Sequence, residues 1–137
     1  MDYLHQNADY IFVCIGTNKL IADSFGPRVG DILKVYFKNF NQTQVFGTMK
    51  CPIHLQNAPI FLDYLQQNIN NIILIDSALG DDNKIGSTYL CSGGLEIGKA
   101  FERTLYFPAC LSFKTIVGSK RKMSFMKLKT LITWHKA

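Results

Sequence analysis

Two acids stand where an α/β chain can do chemistry. Asp76 follows directly on the apolar run Ile72 to Ile75, so a strand there aims it out of the sheet's carboxyl edge. Asp23 lies on the loop after the apolar run Tyr10 to Ile15, at the predicted start of the first helix. If those two strands are neighbours, both carboxylates face one cleft. Paired carboxylates are a hydrolytic tool. One stays ionised and takes a proton from water; the other, its pKa raised by the neighbouring charge, gives one to the leaving group. Backbone N–H groups near Gly16 or Gly80 are the candidates to hold the developing oxyanion. Each acid also has an ordinary role. A lone Asp at a helix start caps it, and an acid after a buried strand needs only a polar partner.

The other reactive side chains say less. His54 follows the second predicted strand and is, as a lone histidine, more often a hydrogen-bonded loop residue than a ligand. Asp23, Asp76 and His54 together would suit a divalent ion, but no residue spacing calls for a metal or a cofactor, and none is expected. Cys14, Cys51, Cys91 and Cys110 are scattered, with no zinc or redox spacing, and read as small buried hydrophobes. The loop Gly16 to Gly26 carries neither GxGxxG nor a Walker-type Gly-Lys-Thr, so a nucleotide fingerprint is excluded.

The elements that must position the acids follow from periodicity. Tyr10 to Ile15 and Asn71 to Ile75 are continuous β-branched or aromatic runs, expected as strands buried on both faces, the second ending at Asp76. Apolar residues at Val29, Ile32, Leu33, Tyr36, Phe37 and Phe40 have helical spacing. Asp23 or Ser24 with Pro27 just beyond makes the start. Ala58 to Ile69, introduced by Pro59, predicts a second helix. Short strands are expected at 43–48, 87–91 and 111–117; Ser124 to His135 reads as a closing helix, although Met126-Lys-Leu-Lys also alternates like a strand. Strands alternating with helices predict an α/β fold, a three-layer αβα sandwich around a mostly parallel, mixed sheet.

Length and composition set the class. The 137 residues suit one domain, 1–137, with 47% apolar and 18% charged residues, which excludes a disordered chain, a coiled coil and a collagen-like fibre. No apolar run approaches the ~18 residues of a membrane span. The acidic, polar stretch Met1 to Asp9 is unlike a secretory signal, so a cytoplasmic protein is expected. The net charge of +5 is uneven: ten acids and seven bases precede Arg103, whereas eight bases and no acid follow from there. The basic segment 119–137 is read first as a solvated helix face and second as a surface for an acidic partner. Nucleic acid is not expected, because no aromatic and basic interleaving of an RNA-binding sheet is present.

Cys14-Ile-Gly-Thr-Asn18 followed by Ala22-Asp-Ser-Phe-Gly-Pro-Arg-Val-Gly30 resembles the amino-terminal signature of the YyaC-type sporulation proteins. These are relatives of the spore germination protease and, more distantly, of the endopeptidases that mature nickel hydrogenases. Phe46-Gly-Thr48, Pro52-Ile-His-Leu55, Leu74-Ile-Asp-Ser-Ala-Leu-Gly80 and the glycine-rich stretch Gly86 to Lys99 follow in the family's order. The resemblance covers roughly residues 10 to 118 and implies a phosphorylase/hydrolase-like sandwich with a peptidase-like site. The acids of the germination protease's proposed catalytic pair fall on Asp23 and Asp76. Thr17, Asn18 and His54 are then the candidates for contact with a protein or peptide substrate. The nickel-binding histidine of the hydrogenase relatives has no counterpart in the segment Gly98 to Leu105, where the resemblance would place it. A spore or forespore setting comes from the same resemblance. The rival expectation is a non-catalytic module that keeps the fold and uses its cleft or basic end to hold a protein or nucleic-acid partner.

Overall fold

The computed structural model describes residues 9–98 and 104–120. They form an α/β fold around a five-stranded mixed sheet. The elements are β1 (Ile11–Cys14), α1 (Phe25–Tyr36), β2 (Gln44–Phe46), α2 (Ala58–Leu65), β3 (Ile72–Gly80), β4 (Thr88–Ser92), β5 (Leu95–Ile97), β6 (Leu105–Phe107) and β7 (Leu111–Ser119). The sheet order is β2-β1-β3-β7-β4, with β4 alone antiparallel at the edge. β5 and β6 make a separate antiparallel hairpin.

Alternation assigns the two faces of the sheet. Ile11, Val13, Ile72 and Leu74 share one face and form a single core with Ala58 and Leu65 of α2 and Ile97 and Phe107 of the hairpin. On the other face, Phe12 stacks on Phe37 just beyond α1, with ring centroids 5.3 Å apart. The chain leaves β1 through α1 to β2 on one side, then returns through α2 to β3 on the other. The carboxyl ends of β1 and β3 therefore flank a topological switch point, the place where open α/β sheets bind ligands.

Several expectations need correction. β3 does not end at Asp76 but runs on to Gly80, because β7 supplies partners as far as Ser119, with a register shift at Ala78/Leu79. α2 stops at Leu65 and continues only as a tight 3₁₀ stretch, Gln66–Asn71, since a polar Gln-Gln-Asn sequence offers no face to bury. Neither β5 nor β6 is among the expected strands; β5 falls within the glycine-rich stretch Gly86 to Lys99 and pairs with β6 beyond it. Of the four cysteines only Cys14 is buried, whereas Cys51 is exposed and the other two are half-buried. The closing helix 124–135 and most of the basic segment 119–137 lie outside the described residues.

α1 meets the sheet through its small residues, burying Gly26, Pro27 and Gly30. Gly26 lies directly on the carbonyl of Ile15, and a Cβ there would overlap that oxygen. This contact fixes the height of the helix start above the end of β1. Gly26→Ala is expected to destabilise the protein by about 1–3 kcal/mol through forced separation of α1 from the sheet. A urea titration checks this, and an unchanged midpoint would contradict it.

Candidate active site

The end of β1 builds the site. Ile15 gives its N–H to the Ile75 carbonyl at 2.8 Å, the last ladder bond between β1 and β3. The next residue, Gly16, instead donates to the Ile53 carbonyl at 2.9 Å, so the chain turns away from β3 at that point. Asp76 is thus the first residue of β3 without a β1 partner, and it sits at the switch point. Its side chain is buried, with 8% of its surface exposed, and its Oδ1 accepts a hydrogen bond from the Ser77 N–H at 2.8 Å.

Asp23 is brought to the same rim by a short loop closure. Thr17 donates its N–H to the Asp23 carbonyl at 2.8 Å, and Asp23 ends a 3₁₀ turn, Ile21–Asp23, that leads into α1. The helix cap is Ser24, whose Oγ donates to the Ile21 carbonyl at 2.8 Å and accepts from Arg28 Nε at 3.1 Å. The cap position weighed for Asp23 therefore falls to its neighbour, which makes no side-chain hydrogen bond to the helix N–H groups.

Burial pushes the Asp23 carboxyl up to about 6. Asp76 is held well above the usual carboxylate range, first by burial and then by the charge of Asp23; the Ser77 N–H and the Lys114 ammonium pull the other way. The two carboxyls therefore differ in their hold on a proton, the more deeply buried Asp76 being the more inclined to keep one. That is the division of labour a water-activating base and a leaving-group acid require.

Residues 1–133 match the family model described as "Protein of unknown function (DUF1256)". The chain belongs to the DUF1256 family. It is 28% identical over 121 residues to "Uncharacterized protein YyaC" of Bacillus subtilis (strain 168), covering 87% of this chain and 58% of the relative's length. The chain thus spans under two thirds of that curated relative. No solved structure matches it.

The remaining expected contact residues of this DUF1256 chain make local structural hydrogen bonds. Asn18 Nδ2 donates to the Met49 carbonyl at 2.9 Å, tying the β1 loop to the β2 loop. Thr17 Oγ1 accepts from the Lys19 N–H at 3.3 Å, within its own turn. His54 follows Ile53, which bridges to Ile15, so it lies at the same end of the sheet as the acids. Its Nδ1 accepts the Gln56 N–H at 3.2 Å, the hydrogen bond of an ordinary loop histidine. Among the described residues no three of His, Cys, Asp and Glu converge as a metal site, so Asp23, Asp76 and His54 do not form one. Gly16, offered as an oxyanion donor, has its N–H engaged by Ile53. A cavity of about 440 Å³ with Asn41, Gln42, Gln44 and Asn68 among its lining lies at the opposite end of the sheet, away from the acids. No described helix is long and apolar enough to cross a membrane.

One site residue escaped the sequence. Lys114 of β7 is the register partner of Asp76 on β3 and is half-buried beside it. In the sequence it merged with a run of bases, yet its neighbours Phe113, Thr115 and Ile116 mark it as a strand residue.

The raised Asp23 carboxyl links folding to pH. The folded state binds this proton more tightly than the unfolded chain, so its contribution is complete below about 4 and is lost as pH rises through about 6. Unfolding free energy is expected to fall across that window in the parent. Asp23→Asn should remove this part of the slope and stabilise the protein above pH 6 by on the order of 2 kcal/mol. Urea denaturation at a series of pH values checks it; equal slopes in the two proteins would contradict the assignment.

Proposed function

We propose that the chain is a peptidase-like hydrolase, in which Asp23 and Asp76 act together on a water molecule and a peptide bond. The observation that supports it most is a buried Asp76 at the switch point whose carboxyl feels the charge of Asp23. Asp23, ionised, takes a proton from water as its oxygen adds to the scissile carbonyl carbon. Asp76, protonated, gives its proton to the amide nitrogen as the C–N bond breaks, leaving a carboxylic acid and an amine. Proton return from Asp23 to Asp76 through solvent resets the pair. Neither step asks for a metal.

The architecture proposed with this activity is the three-layer αβα sandwich of phosphorylase/hydrolase type, supported by α1 and α2 lying against opposite faces of the sheet. Kinship with the spore germination protease, and more remotely with hydrogenase-maturation endopeptidases, belongs to the same proposal. It rests on the Asp23-to-Pro27 and Ile75-to-Gly80 blocks. The substrate is a protein or peptide, and the setting is the cytoplasm of a spore-forming cell.

The test is cleavage of denatured casein and of a quenched-fluorescent peptide library. Asp23→Asn and Asp76→Asn are each expected to lower kcat by about 10²-fold or more, the contribution of a positioned acid or base. The parent's rate should rise with pH through about 6, where Asp23 ionises, and fall at higher pH as Asp76 loses its proton. Parent-like cleavage by both variants would end the proposal.

A further inference from the structure

Hydrolysis by the Asp23–Asp76 pair places a negative charge on the former carbonyl oxygen, and that charge needs a donor. The backbone groups nearest to hand are unsuitable. Gly16 gives its N–H to Ile53, and Thr17 gives its own to Asp23. Gly80 lies four residues beyond Asp76 along β3, about 13 Å away at the rise of a strand.

Lys114 is differently placed. It faces Asp76 directly in the β3–β7 register, one strand spacing away, about 5 Å. Alternation puts the two side chains on the same face of the sheet. Among the described residues it is the one cation whose charge bears on Asp76. Asp23 approaches Asp76 from the β1 side and Lys114 from the β7 side, so the rim carries Asp23, the buried Asp76 and a cation in sequence. Tyr89 of β4 pairs with Lys114 and continues the row to the sheet edge. A lysine offers three donors on a flexible stem, enough to follow an oxygen as it changes from carbonyl to alkoxide.

We propose that Lys114 is a catalytic residue that holds the anionic oxygen formed when water adds to the scissile carbonyl, in place of a backbone oxyanion hole. This rests on the hydrolase reading of the acid pair. As the C–O bond forms, the carbonyl electron pair moves to oxygen and is met by the ammonium. As the C–N bond breaks, that pair returns and the ammonium keeps all its protons. Lys114 therefore stabilises charge without exchanging a proton, whereas the acids carry the proton traffic.

The test compares Lys114→Met and Lys114→Arg with the parent on the best-cleaved member of the peptide library. Lys114→Met is expected to lower kcat by about 10²-fold or more with KM nearly unchanged, the mark of an interaction made in the transition state. Lys114→Arg should recover most of that loss, which a merely structural role would not produce. A carbon-13 titration gives a readout independent of turnover: the Asp76 carboxyl should titrate higher in Lys114→Met than in the parent. If Lys114→Met does not fold, Lys114→Gln removes the charge with less loss of polarity. Parent-like kcat in a folded charge-free variant, with Asp23→Asn and Asp76→Asn inactive, would overturn the role of Lys114 alone. A parent that cleaves nothing in the library would overturn the hydrolase reading and this role with it.

Discussion

A carboxyl group withdrawn from water resists ionisation, and the whole rim of this fold is organised around one such group. Asp76 sits inside a nine-residue strand, at the first position where β1 no longer runs beside it. β7 pairs with it on one side, and on the other β1 ends one residue short of it. Burial alone raises its pKa; the nearby charge of Asp23 raises it further, and Ser77 and Lys114 offset only part of this. The carboxyl therefore holds its proton more tightly than an exposed Asp would. Every other feature of the site either creates that burial or responds to it.

The loop from Gly16 to Ser24 has the first of these tasks. Its closure by the Thr17–Asp23 hydrogen bond keeps a second acid beside Asp76. The close approach of Gly26 to Ile15 keeps α1 low enough for the loop to be short. Ser24 takes the cap position, its Oγ bonded to the Ile21 carbonyl and to Arg28 Nε. Cys14, the register partner of Ile75, is buried so that its thiol is pushed up to about 12, which makes it a poor nucleophile. Membership of the DUF1256 family assigns none of these roles by itself. They are argued from the side chains, because a fold of this kind hosts many activities.

Much of this was legible in the sequence. The runs Tyr10 to Ile15 and Ile72 to Ile75 announce two buried strands, and Pro27 behind Ser24 announces α1. Both acids could be picked because each follows such a run. The continuation of β3 was hidden, since Asp76 interrupts the apolar run and Ser77-Ala78-Leu79 has little β character of its own. Those residues are extended because β7 pairs with them, a tertiary cause that no local pattern carries. β5 and β6 are three residues each, too short to show a period. Lys114 was counted with the basic end by its charge, although its strand neighbours tied it to the sheet. The engagement of Gly16 by Ile53 joins residues far apart in the chain and could only be seen in the fold.

The central claim is that Asp23 and Asp76 feel one another's charge in the folded protein. The most direct measurement is carbon-13 NMR of aspartate carboxyls, following Asp76 through a pH titration in the parent and in Asp23→Asn. With the neighbouring charge removed, the Asp76 carboxyl should titrate at a lower pH than in the parent while remaining above the ordinary carboxylate range, because burial persists. An Asp76 titration that is unmoved by the substitution would mean that the two acids do not share a site.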